Sequence, residues 1–402
     1  MQTEVIAITS KDDEELKRAG AVIRAGGLVA FPTETVYGLG GNALDADASR
    51  RIYAAKGRPS DNPLIVHISD FSQVYMLAED VPETARKLAD AFWPGPLTMI
   101  LPKSELVPET TTGGLQTVAL RMPNHPAALG LIEQAGVPIA APSANRSGRP
   151  SPTTAAHVFE DMNGKIPIIL DGGEVEIGVE STIVDLTGEK PMVLRPGYIS
   201  RKMLQEVLET EVELDPAIVV KTVKACEPET KVTNEAAETK GPNGAAETKN
   251  LNGEPDPQKP SGAAATKEPE AEAQHLRPRA PGMRYRHYAP KAPLILVQGP
   301  AEAVTAYILK QIEEEKNKPI GVLCSAQTAH VYKDARRVVV AGAFGDLPAL
   351  AHNLYADLRD FDEVDIDRIY AEDFGIAEDA NLKEALENRM MKAAGGHIVT
   401  VG

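Results

Sequence analysis

Short apolar segments of strand character alternate with helical patterns through the first half of the chain. The strand-like segments are rich in β-branched residues or Leu, and many of them are bounded by Gly or Pro. They are GLVAFPT, PLIVHIS, PLTMILP, TVALRMP, VPIAAPS, IPIILDG, STIVDLT and PMVLRPG. Helical spacing marks DDEELKRAGAVIRAG, DADASRRIYAAK, PETARKLADAFW and TTAAHVFEDM, with Asp47 a candidate N-cap in the second. Strands interrupted by Pro favour an α/β fold with a twisted mixed sheet and flanking helices over a regular doubly wound sheet.

A second α/β pattern fills the C-terminal part of the chain. The strand-like segments PLILVQG, PIGVLCS, RRVVVAG, DRIYAED and HIVTVG alternate with the helical AEAVTAYILKQIEEEK, LPALAHNLYADLRDF and EDANLKEALENRMMKAA. This order predicts a smaller, Rossmann-like parallel α/β domain. Its first strand leads into VQGPAEAV instead of G-x-G-x-x-G, so the pattern does not support dinucleotide binding.

The two patterns are separated by a stretch that has no Phe, Trp or Tyr between Tyr198 and Tyr285. Within it NEAAETK recurs as NGAAETK and, more loosely, as SGAAATK, among Pro, Gly, Glu and Lys. Such a composition is too polar for burial to offset the entropy of ordering. We therefore predict a large domain over 1–214, a linker with a low-complexity body and an ordered C-terminal end over 215–290, and the small domain over 291–402.

Composition narrows the class of protein. The chain has 402 residues, of which 43% are hydrophobic and 25% charged, as in globular proteins with about two domains. No apolar run reaches the roughly 20 residues of a membrane span and the N-terminus lacks signal-peptide features, so we expect a cytoplasmic protein without membrane contact. The net charge of -16 disfavours bulk binding to nucleic acid, and any anion site must be a local pocket. The two cysteines, Cys226 and Cys324, leave the large domain without a disulfide, a cysteine zinc site or a thiol nucleophile.

The segment KGRPSDNPLIVHI, residues 56–68, joins a helix, a Pro-rich turn and a strand. Arg58, through its bidentate fork, and Lys56, as a point charge, could clamp a phosphate. The alternative is a solvated helix end whose cations meet the helix dipole. His67, in the strand, is compatible with a structural histidine near a sheet edge and with a ligand contact.

In FPTETVYGLGGNA, residues 31–43, hydroxyl groups occupy alternate positions after a strand. Thr33, Thr35 and Tyr37 would then face one side, and the three glycines that follow would let the backbone turn sharply or approach a ligand. The alternative is a Gly-rich turn in which Thr merely suits the strand. The segment is not a P-loop, because G-x-x-x-x-G-K-[ST] is absent from the chain.

The segment APSANRSGRPSPTT, residues 141–154, places small and polar groups after a buried strand. Ser143 and Asn145, with Ser151 nearby, could meet a phosphate or a base, because ligands of α/β sheets bind at strand ends. Loops of Ser, Asn and Gly are also common where no ligand binds.

Three further polar residues stand near strand ends, where ion pairing or a surface position is the ordinary explanation. They are Arg121 in ALRMP, Ser181 in GVESTIVDL and Arg195 in VLRPGYI. The motifs G-x-S-x-G and H-E-x-x-H are absent, and no residue has the pattern of a covalent nucleophile. A site of this composition would position reactants and neutralise charge, which is what transfer to phosphorus mainly demands.

Seven segments carry a family resemblance. They are PTETVYGLG, KGRPSDNPLIVH, WPGPLT, LRMPNHP, PSANRSGRPS, GVESTIVDL and VLRPG, and in this order they resemble the YrdC-like domain of the threonylcarbamoyl-AMP synthases. The later APGMRYRHYAP, residues 280–290, followed by a small α/β domain, is similar to the long two-domain form of that family. The resemblance does not extend to the repeats of the linker.

The resemblance implies a nucleotidyltransferase that condenses L-threonine, bicarbonate and ATP into threonylcarbamoyl-AMP and pyrophosphate. The product would feed a downstream tRNA threonylcarbamoyltransferase machinery, which forms threonylcarbamoyladenosine next to the anticodon. Mg²⁺ would enter with ATP and bridge phosphate oxygens, without protein ligands of its own.

Matching positions assign roles to residues of both ligand sites. The ATP-binding residues implied are Arg58, Asn62, Thr117, Ser143, Asn145, Ser151, Arg195 and Tyr285. The L-threonine-binding residues implied are Thr35, His67, Arg121, Ala141 and Ser181. Lys56 and Arg58 would be catalytic and stabilise the charge that builds on the phosphates. Of Tyr285 and Tyr288, we expect Tyr285 to close over the pocket as a lid that excludes water.

Two alternatives differ in class. The related carbamoyltransferase of hydrogenase maturation carries the same domain but also needs an acylphosphatase-like segment and paired Cys zinc motifs, which this sequence lacks. An RNA-binding module that uses the basic concavity fits the local Arg and Lys clusters. The net negative charge of the chain and the lack of an RNA-binding signature disfavour an RNA-binding module.

Overall fold

The computed structural model describes residues 2–218, 278–283, 288–374 and 381–402. These residues belong to one packed unit that spans Met1–Thr222 and Arg277–Gly402. The body of the predicted linker, with its repeats, and Tyr285 lie outside the described residues. Within the described ranges, no helix has the length and apolar character that crossing a membrane requires.

The first region is built on a mixed sheet, with eleven strands in the described part of the chain. They are β1 Glu4–Ala7, β2 Val29–Phe31, β3 Gly38–Asn42, β4 Ile65–His67, β5 Leu97–Pro102, β6 Thr117–Arg121, β7 Ile139–Ala140, β8 Ile168–Asp171, β9 Thr182–Asp185, β10 Met192–Arg195 and β11 Glu213–Leu214. Their order is β1-β8-β2-β3-β7-β4-β6-β5-β9-β10-β11, in which β4 and β6 are parallel and β2 and β3 antiparallel. The predicted mixed sheet is confirmed, and each strand-like segment of the first half contributes a strand to it.

Helices pack on the faces of this sheet. They are α1 Glu14–Arg24, α2 Ala46–Lys56, α3 Val74–Leu77, α4 Glu83–Phe92, α5 Glu109–Thr112, α6 Pro126–Ala135, α7 Ala155–Met162 and α8 Arg201–Leu208, with a 3-10 turn at Phe71–Gln73. The N-cap of α2 is Asp45 and not Asp47. The Asp45 carboxylate accepts a hydrogen bond from the Asp47 backbone N–H at 2.8 Å, which satisfies an amide that the helix start leaves without a partner.

The second region is a parallel sheet with helices, as predicted. Its described strands are β12 Leu294–Gln298, β13 Ile320–Ser325, β14 Arg337–Gly342, β15 Arg368–Glu372 and β16 Ile398–Thr400. Its helices are α9 Ala301–Glu314, α10 Leu347–Asp360 and α11 Lys383–Ala393, with 3-10 turns at Ala329–Val331 and Phe361–Glu363. The strand order is β14-β13-β15-β12-β16, and all neighbours are parallel. Because β15 separates β13 from β12, this is not the strand order of dinucleotide-binding folds, in agreement with the missing glycine fingerprint.

The two regions pack directly against each other. Val36 and Val179 of the first region belong to the same apolar cluster as Tyr355 of α10. At Gly178, whose φ is +86°, a Cβ atom would lie 2.4 Å from the carbonyl oxygen of Ala351. Only glycine allows the backbones to approach so closely at this backbone angle.

Candidate active site

A cavity lies at the C-terminal ends of β4 and β6, where sheets of this type bind ligands. The two strands are parallel neighbours and place His67 opposite Arg121 in the ladder. Beside them β7 leads into the loop of Ser143, which bridges to Gly38 at the start of β3. The cavity volume is about 60 Å³. Its walls are formed by Thr33, Val36, Gly38, Arg58, Ile65, His67, Arg121, Ala141, Pro142, Ser143, Asn145, Arg149, Ser151, Glu180, Arg195, Pro281, Gly282 and Tyr288.

Arg58 enters the cavity wall because the chain turns sharply after α2. Gly57 caps the helix at a φ of +62°, a left-handed conformation that glycine adopts at little cost. The Arg58 guanidinium then donates from Nε to Asn62 O at 3.3 Å and from Nη2 to Pro63 O at 3.1 Å. The cation is therefore oriented by its own turn before a ligand binds.

Lys56 lies under the loop that carries Ser143 and Asn145. Its ammonium donates to the backbone carbonyls of both residues, and to Asn145 Oδ1 at 3.3 Å. Burial, and after it the nearby Arg58 cation, holds the pKa of Lys56 well below its ordinary value. Because Lys56 is 4% exposed, the solvated helix end considered for this cluster does not apply to it. Lys56 supports the loop from behind and is not part of the described cavity wall.

Arg195 reaches the cavity from the end of β10. The ladder between β9 and β10 shifts register between Val193 and Arg195, and a bulge of this kind re-aims a side chain. Arg195 donates from Nε to Ser181 O at 3.0 Å and from Nη2 to Ser181 Oγ at 3.1 Å. Its Nη1 also donates to Pro281 O at 3.4 Å. Arg195 thus links Ser181 to Pro281, in the last part of the predicted linker.

Arg121 pairs with Glu34, and both side chains are 4% exposed. Arg121 Nη2 lies 2.8 Å from Glu34 Oε1 and donates to Thr35 Oγ1 at 3.0 Å. The Glu34 oxygens have no partner of good hydrogen-bond geometry among the described residues, so charge holds this pair. These contacts place a buried guanidinium at the cavity wall.

The predicted alternation of hydroxyls after β2 is wrong. The chain bends between the antiparallel β2 and β3 instead of continuing as a strand. Thr33 Oγ1 lies 2.9 Å from Thr35 Oγ1 and donates to Val36 O at 2.7 Å. Tyr37 Oη donates to Gly173 O at 2.6 Å, outside the cavity. Thr side chains that bond the local backbone favour such bends over extended structure.

The glycines of this segment form a strand and not a sharp turn. In β3, a Cβ atom at Gly40 would lie 2.8 Å from side-chain atoms of Phe31 and Ile139. At Gly38 the nearest atom, in the Phe31 ring, would be 3.2 Å away. Glycine therefore lets β3 lie close to the Phe31 ring, and Gly38 brings bare backbone to the cavity wall.

His67 is buried at the cavity wall and has a nitrogen without a partner. Its ring meets Phe31 edge to face, with centroids 6.0 Å apart. Its Nδ1 has no hydrogen-bonding partner among the described residues. Burial, and after it the Arg121 cation, lowers the pKa of His67 to about 3, so the imidazole is neutral at pH 7. A buried polar atom of this kind is expected where a ligand supplies the missing partner.

Acid should destabilise the folded chain through His67. In the unfolded chain His67 takes up a proton below its ordinary pKa of 6.5, whereas the folded form does so only near pH 3. The contribution of His67 to the free energy of unfolding is complete above pH 6.5 and falls as the pH drops toward 3. At pH 5 the loss is about 2 kcal/mol. Urea unfolding of the wild type and His67→Asn at pH 7 and pH 5 measures the difference, since His157, whose pKa burial lowers to about 4, is common to both. An equal loss of stability in the two proteins would contradict this account.

The structure brings most of the predicted site residues together. Those in the cavity wall are Arg58, His67, Arg121, Ala141, Ser143, Asn145, Ser151 and Arg195. Thr35 and Ser181 each stand one hydrogen bond behind a cation of the wall. Asn62 is buried, with no partner for its Oδ1 in the described ranges, and Thr117 lies at the far end of β6. The ligand contacts assigned to all these residues stay predictions.

Sequence reasoning misses two charged residues of the cavity wall, Arg149 and Glu180. Both stand inside segments that carry the resemblance, PSANRSGRPS and GVESTIVDL, and this position is the signal that could have found them. At the end of the linker, Tyr288 lines the cavity together with Pro281 and Gly282. The predicted role of Tyr285 falls outside the described residues.

The described residues offer no group of three or more His, Cys, Asp or Glu side chains arranged to hold a metal ion. The Glu180 carboxylate already accepts hydrogen bonds from Ser151 at 2.6 Å and from Tyr355 at 2.7 Å. The other oxygen atoms of the wall belong to hydroxyls, amides and backbone carbonyls. Such groups suit Mg²⁺ only when phosphate or water supplies most of its ligands.

Two family models match consecutive parts of the chain. The Sua5/YciO/YrdC model, described as telomere recombination, matches residues 21–197. The model of the threonylcarbamoyl-AMP synthase C-terminal domain matches residues 199–395. Most of the cavity wall described above lies within the first match, and Pro281, Gly282 and Tyr288 lie within the second.

Full-length relatives agree with both matches. The threonylcarbamoyl-AMP synthase of Pyrococcus abyssi is 43% identical over 402 residues, which cover 99% of this chain and 100% of the relative. The enzyme of the same name from Bacillus subtilis is 41% identical over 391 residues, which cover 97% and 96%. A solved structure of P. abyssi Sua5 complexed with L-threonine matches with a TM-score of 0.79 and 42% identity, and covers 100% of each chain. With both domains matched over their length, the chain belongs to the threonylcarbamoyl-AMP synthase family in its two-domain form.

Proposed function

We propose that this chain condenses L-threonine, bicarbonate and ATP into threonylcarbamoyl-AMP, with release of pyrophosphate and water. The observation that carries the proposal is a single cavity whose wall combines Arg58 and Arg195 with Arg121 and a neutral His67. Cations there suit a triphosphate and a carboxylate, and the absence of a covalent nucleophile suits direct attack on phosphorus. The relative solved with L-threonine supports an amino-acid site in this fold.

Arg121 is the residue suited to the threonine carboxylate. Its guanidinium is buried and held in place by Glu34 and Thr35, so little ordering remains when a carboxylate binds. Charge-assisted hydrogen bonds of this type are strong in a site that excludes water. Neutral His67 can complete the site with its unpartnered Nδ1 without adding a charge beside the reacting amine.

Arg58, Ser143 and Arg195 would hold the nucleotide. The threonine amine adds to CO2 derived from bicarbonate, and a carbamate oxygen then attacks the α-phosphorus of ATP. The bond from that phosphorus to the bridging oxygen of the β-phosphate breaks, and pyrophosphate leaves with the electron pair. Negative charge grows on the phosphate oxygens in this step, and guanidinium groups already fixed at the wall stabilise it without reorganising.

Ser151 would contact the nucleoside part of ATP. Its hydroxyl donates its proton to Glu180 Oε1 at 2.6 Å, so the remaining lone pairs of Ser151 Oγ can only accept a hydrogen bond. A ribose hydroxyl is a donor, whereas a phosphate oxygen is not. We therefore assign Ser151 to a sugar hydroxyl.

Pro281, Gly282 and Tyr288 would act as a lid. The cavity of about 60 Å³ is far below the roughly 300–1,000 Å³ of sites for ligands of this size, so these residues must move for ATP to enter. Closure over the reactants would exclude water from the activated product. Tyr285 stays a predicted part of the same lid.

Mg²⁺ fits this site as an ion that ATP brings with it. It would neutralise phosphate charge and take its ligands from phosphate and water, because the Glu180 oxygens are already engaged. The reaction belongs in the cytoplasm, where ATP and tRNA meet. A downstream tRNA threonylcarbamoyltransferase machinery would consume the product.

Pyrophosphate release by the full chain tests the proposed function. ATP, Mg²⁺, labelled bicarbonate and L-threonine are supplied together and then omitted one at a time, and serine and glycine replace threonine in parallel. We expect release to require all three substrates and the label to appear in an adenylate that contains threonine. Release that ignores threonine would overturn the proposal.

The same preparation tests the RNA-binding alternative. RNA backbones are bound by exposed cations, whereas Arg121 and Arg195 are 4% and 5% exposed. We expect weak RNA binding. Tight binding that falls steeply with salt and does not respond to ATP would favour the alternative.

A further inference from the structure

A buried carboxylate faces the cavity that we propose for a triphosphate. Glu180 is 6% exposed and stands in the cavity wall beside Ser181. Charges interact strongly where water is excluded, so an uncompensated carboxylate here would repel phosphate oxygens. Its charge therefore has to be balanced by the protein.

The largest compensating charge comes from the C-terminal domain, and Arg195 of the cavity wall adds to it. Arg389 of α11, which is 0% exposed, donates from Nε to Glu180 Oε2 at 3.2 Å and from Nη1 to Pro196 O at 2.6 Å. Tyr355 of α10 donates to the same Glu180 oxygen at 2.7 Å. The other oxygen, Oε1, accepts from Ser151 at 2.6 Å. One carboxylate thus joins two helices of the C-terminal domain to a serine of the proposed nucleotide site.

The charge state of Glu180 agrees with this arrangement. Burial by itself would raise the pKa of Glu180, but Arg389 first and Arg195 second, with the hydroxyls of Ser151 and Tyr355, lower it to about 2. The carboxylate is therefore ionised at neutral pH and fully paired. An ionised, immobile acceptor also fixes the direction of the Ser151 hydroxyl.

The same two helices contact the lid. Lys392, one turn after Arg389 in α11, donates to the carbonyl of Gly282. The Tyr355 ring stacks on Tyr288 with centroids 5.1 Å apart. The C-terminal domain therefore both supports Glu180 and holds the lid in its closed position.

We propose that Arg389 is a positioning residue for the nucleotide: through Glu180 it cancels a negative charge in the cavity wall and holds Ser151 in place. The C-terminal domain thereby completes the ATP site without touching ATP. The inference rests on the proposed function and gives a role to a domain whose own sheet has no nucleotide fingerprint. Arg389 acts through Glu180, so its removal should affect ATP far more than threonine.

Replacing Arg389 by Met in the full chain tests the proposal. Without Arg389, Glu180 loses its strongest cationic partner, which should raise the KM for ATP about tenfold or more and weaken ATP binding in calorimetry by a similar factor. The KM for threonine should change less than about threefold. The second change Glu180→Gln removes the charge and leaves an oxygen that Ser151 can still donate to. Arg389→Met with Glu180→Gln should therefore bind ATP within about threefold of Glu180→Gln alone.

Arg359→Met is the matched control. Arg359 is 3% exposed, crosses the same domain interface to Asp161 at 2.6 Å, and lies with Asp161 outside the described cavity wall. Its loss should lower the melting temperature but leave the KM for ATP within about threefold. A rise in that KM as large as in Arg389→Met would reduce Arg389 to a structural role and overturn the proposal.

Two further outcomes are decisive. If the double variant binds ATP no better than Arg389→Met, charge on Glu180 is not what Arg389 controls, and the proposal fails. If Arg389→Met does not fold, the double variant measured against Glu180→Gln distinguishes the same two roles of Arg389. If the wild-type chain binds ATP but forms no threonine adenylate, the proposed function is overturned. The Arg389 proposal is then still tested by calorimetry with ATP.

Discussion

The Lys56→Met variant should lose most ATP-dependent turnover and about 3 kcal/mol of stability. Lys56 donates to the backbone carbonyls of Ser143 and Asn145 and to the Asn145 side chain, so its removal leaves buried acceptors without a donor. The loop should then shift and withdraw the Ser143 hydroxyl from the cavity wall. Thermal melting and pyrophosphate release, measured on one preparation, report the two effects.

Arg58→Met is the control that separates the loss of a cation beside the phosphates from the loss of support for the Ser143 loop. The Arg58 side chain is only half-buried, so we expect stability within about 1 kcal/mol of wild type. Its kcat/KM for ATP should nevertheless fall about 100-fold, because a fixed cation beside the phosphates is lost. Normal melting with lost turnover in Lys56→Met would mean that Lys56 meets phosphate directly. Normal turnover in both variants would remove this cluster from the mechanism.

The Arg121→Met variant should lose about 1,000-fold in kcat/KM for threonine, or about 4 kcal/mol of binding to the reacting state. The same change strands Glu34, which is 4% exposed, as a buried charge without its partner, so the protein should also melt earlier. Both quantities are measurable in one series with threonine and ATP varied in turn. The KM for ATP should change less than about threefold.

The double variant Arg121→Met with Glu34→Gln decides what Arg121 does. Removing the stranded charge should restore most of the stability, because an uncharged amide costs less to bury. Threonine use should stay low, since no guanidinium is left for the carboxylate. Recovery of threonine use together with stability would show that Arg121 only neutralises Glu34.

Local sequence patterns predict the strands and the sheet type well. The segments with a β-branched or Leu-rich run between Gly or Pro form β2, β4 to β7 and β8 to β10, because each run buries apolar side chains that a loop would expose. The glycine-rich strand β3 is not predicted in this way, because it has no β-branched or Leu-rich run. Its glycines are required by the Phe31 ring across the strand pair, and such a neighbour is not visible in the segment itself.

Long-range pairs explain most of what sequence reasoning misses at the site. Glu180 and Arg389 are 209 residues apart, and neither segment alone indicates that a carboxylate is compensated from the other domain. Lys56 is a case in which a local pattern predicts a role that a long-range contact changes. A Lys and an Arg two positions apart predict a phosphate clamp, but the burial that turns Lys56 toward the Ser143 loop depends on a contact 87 residues away.

Helix starts depend on finer geometry. Asp45 and Asp47 are both acceptable caps by type, and only the backbone of the preceding turn decides that Asp45 receives the amide. The bend at Thr33 and Thr35 has a similar cause, because hydroxyl contacts with the local backbone override strand propensity.

A crystal structure of the chain with L-threonine and a non-hydrolysable ATP analogue tests the central claim most directly, namely that one cavity holds both reactants. We predict the threonine carboxylate within hydrogen-bonding distance of Arg121 and the phosphates in contact with Arg58 and Arg195. Gly282 and Tyr288 should have moved from their positions here to make room. Threonine and nucleotide in separate sites, or the nucleotide on the parallel sheet of the C-terminal domain, would contradict the account.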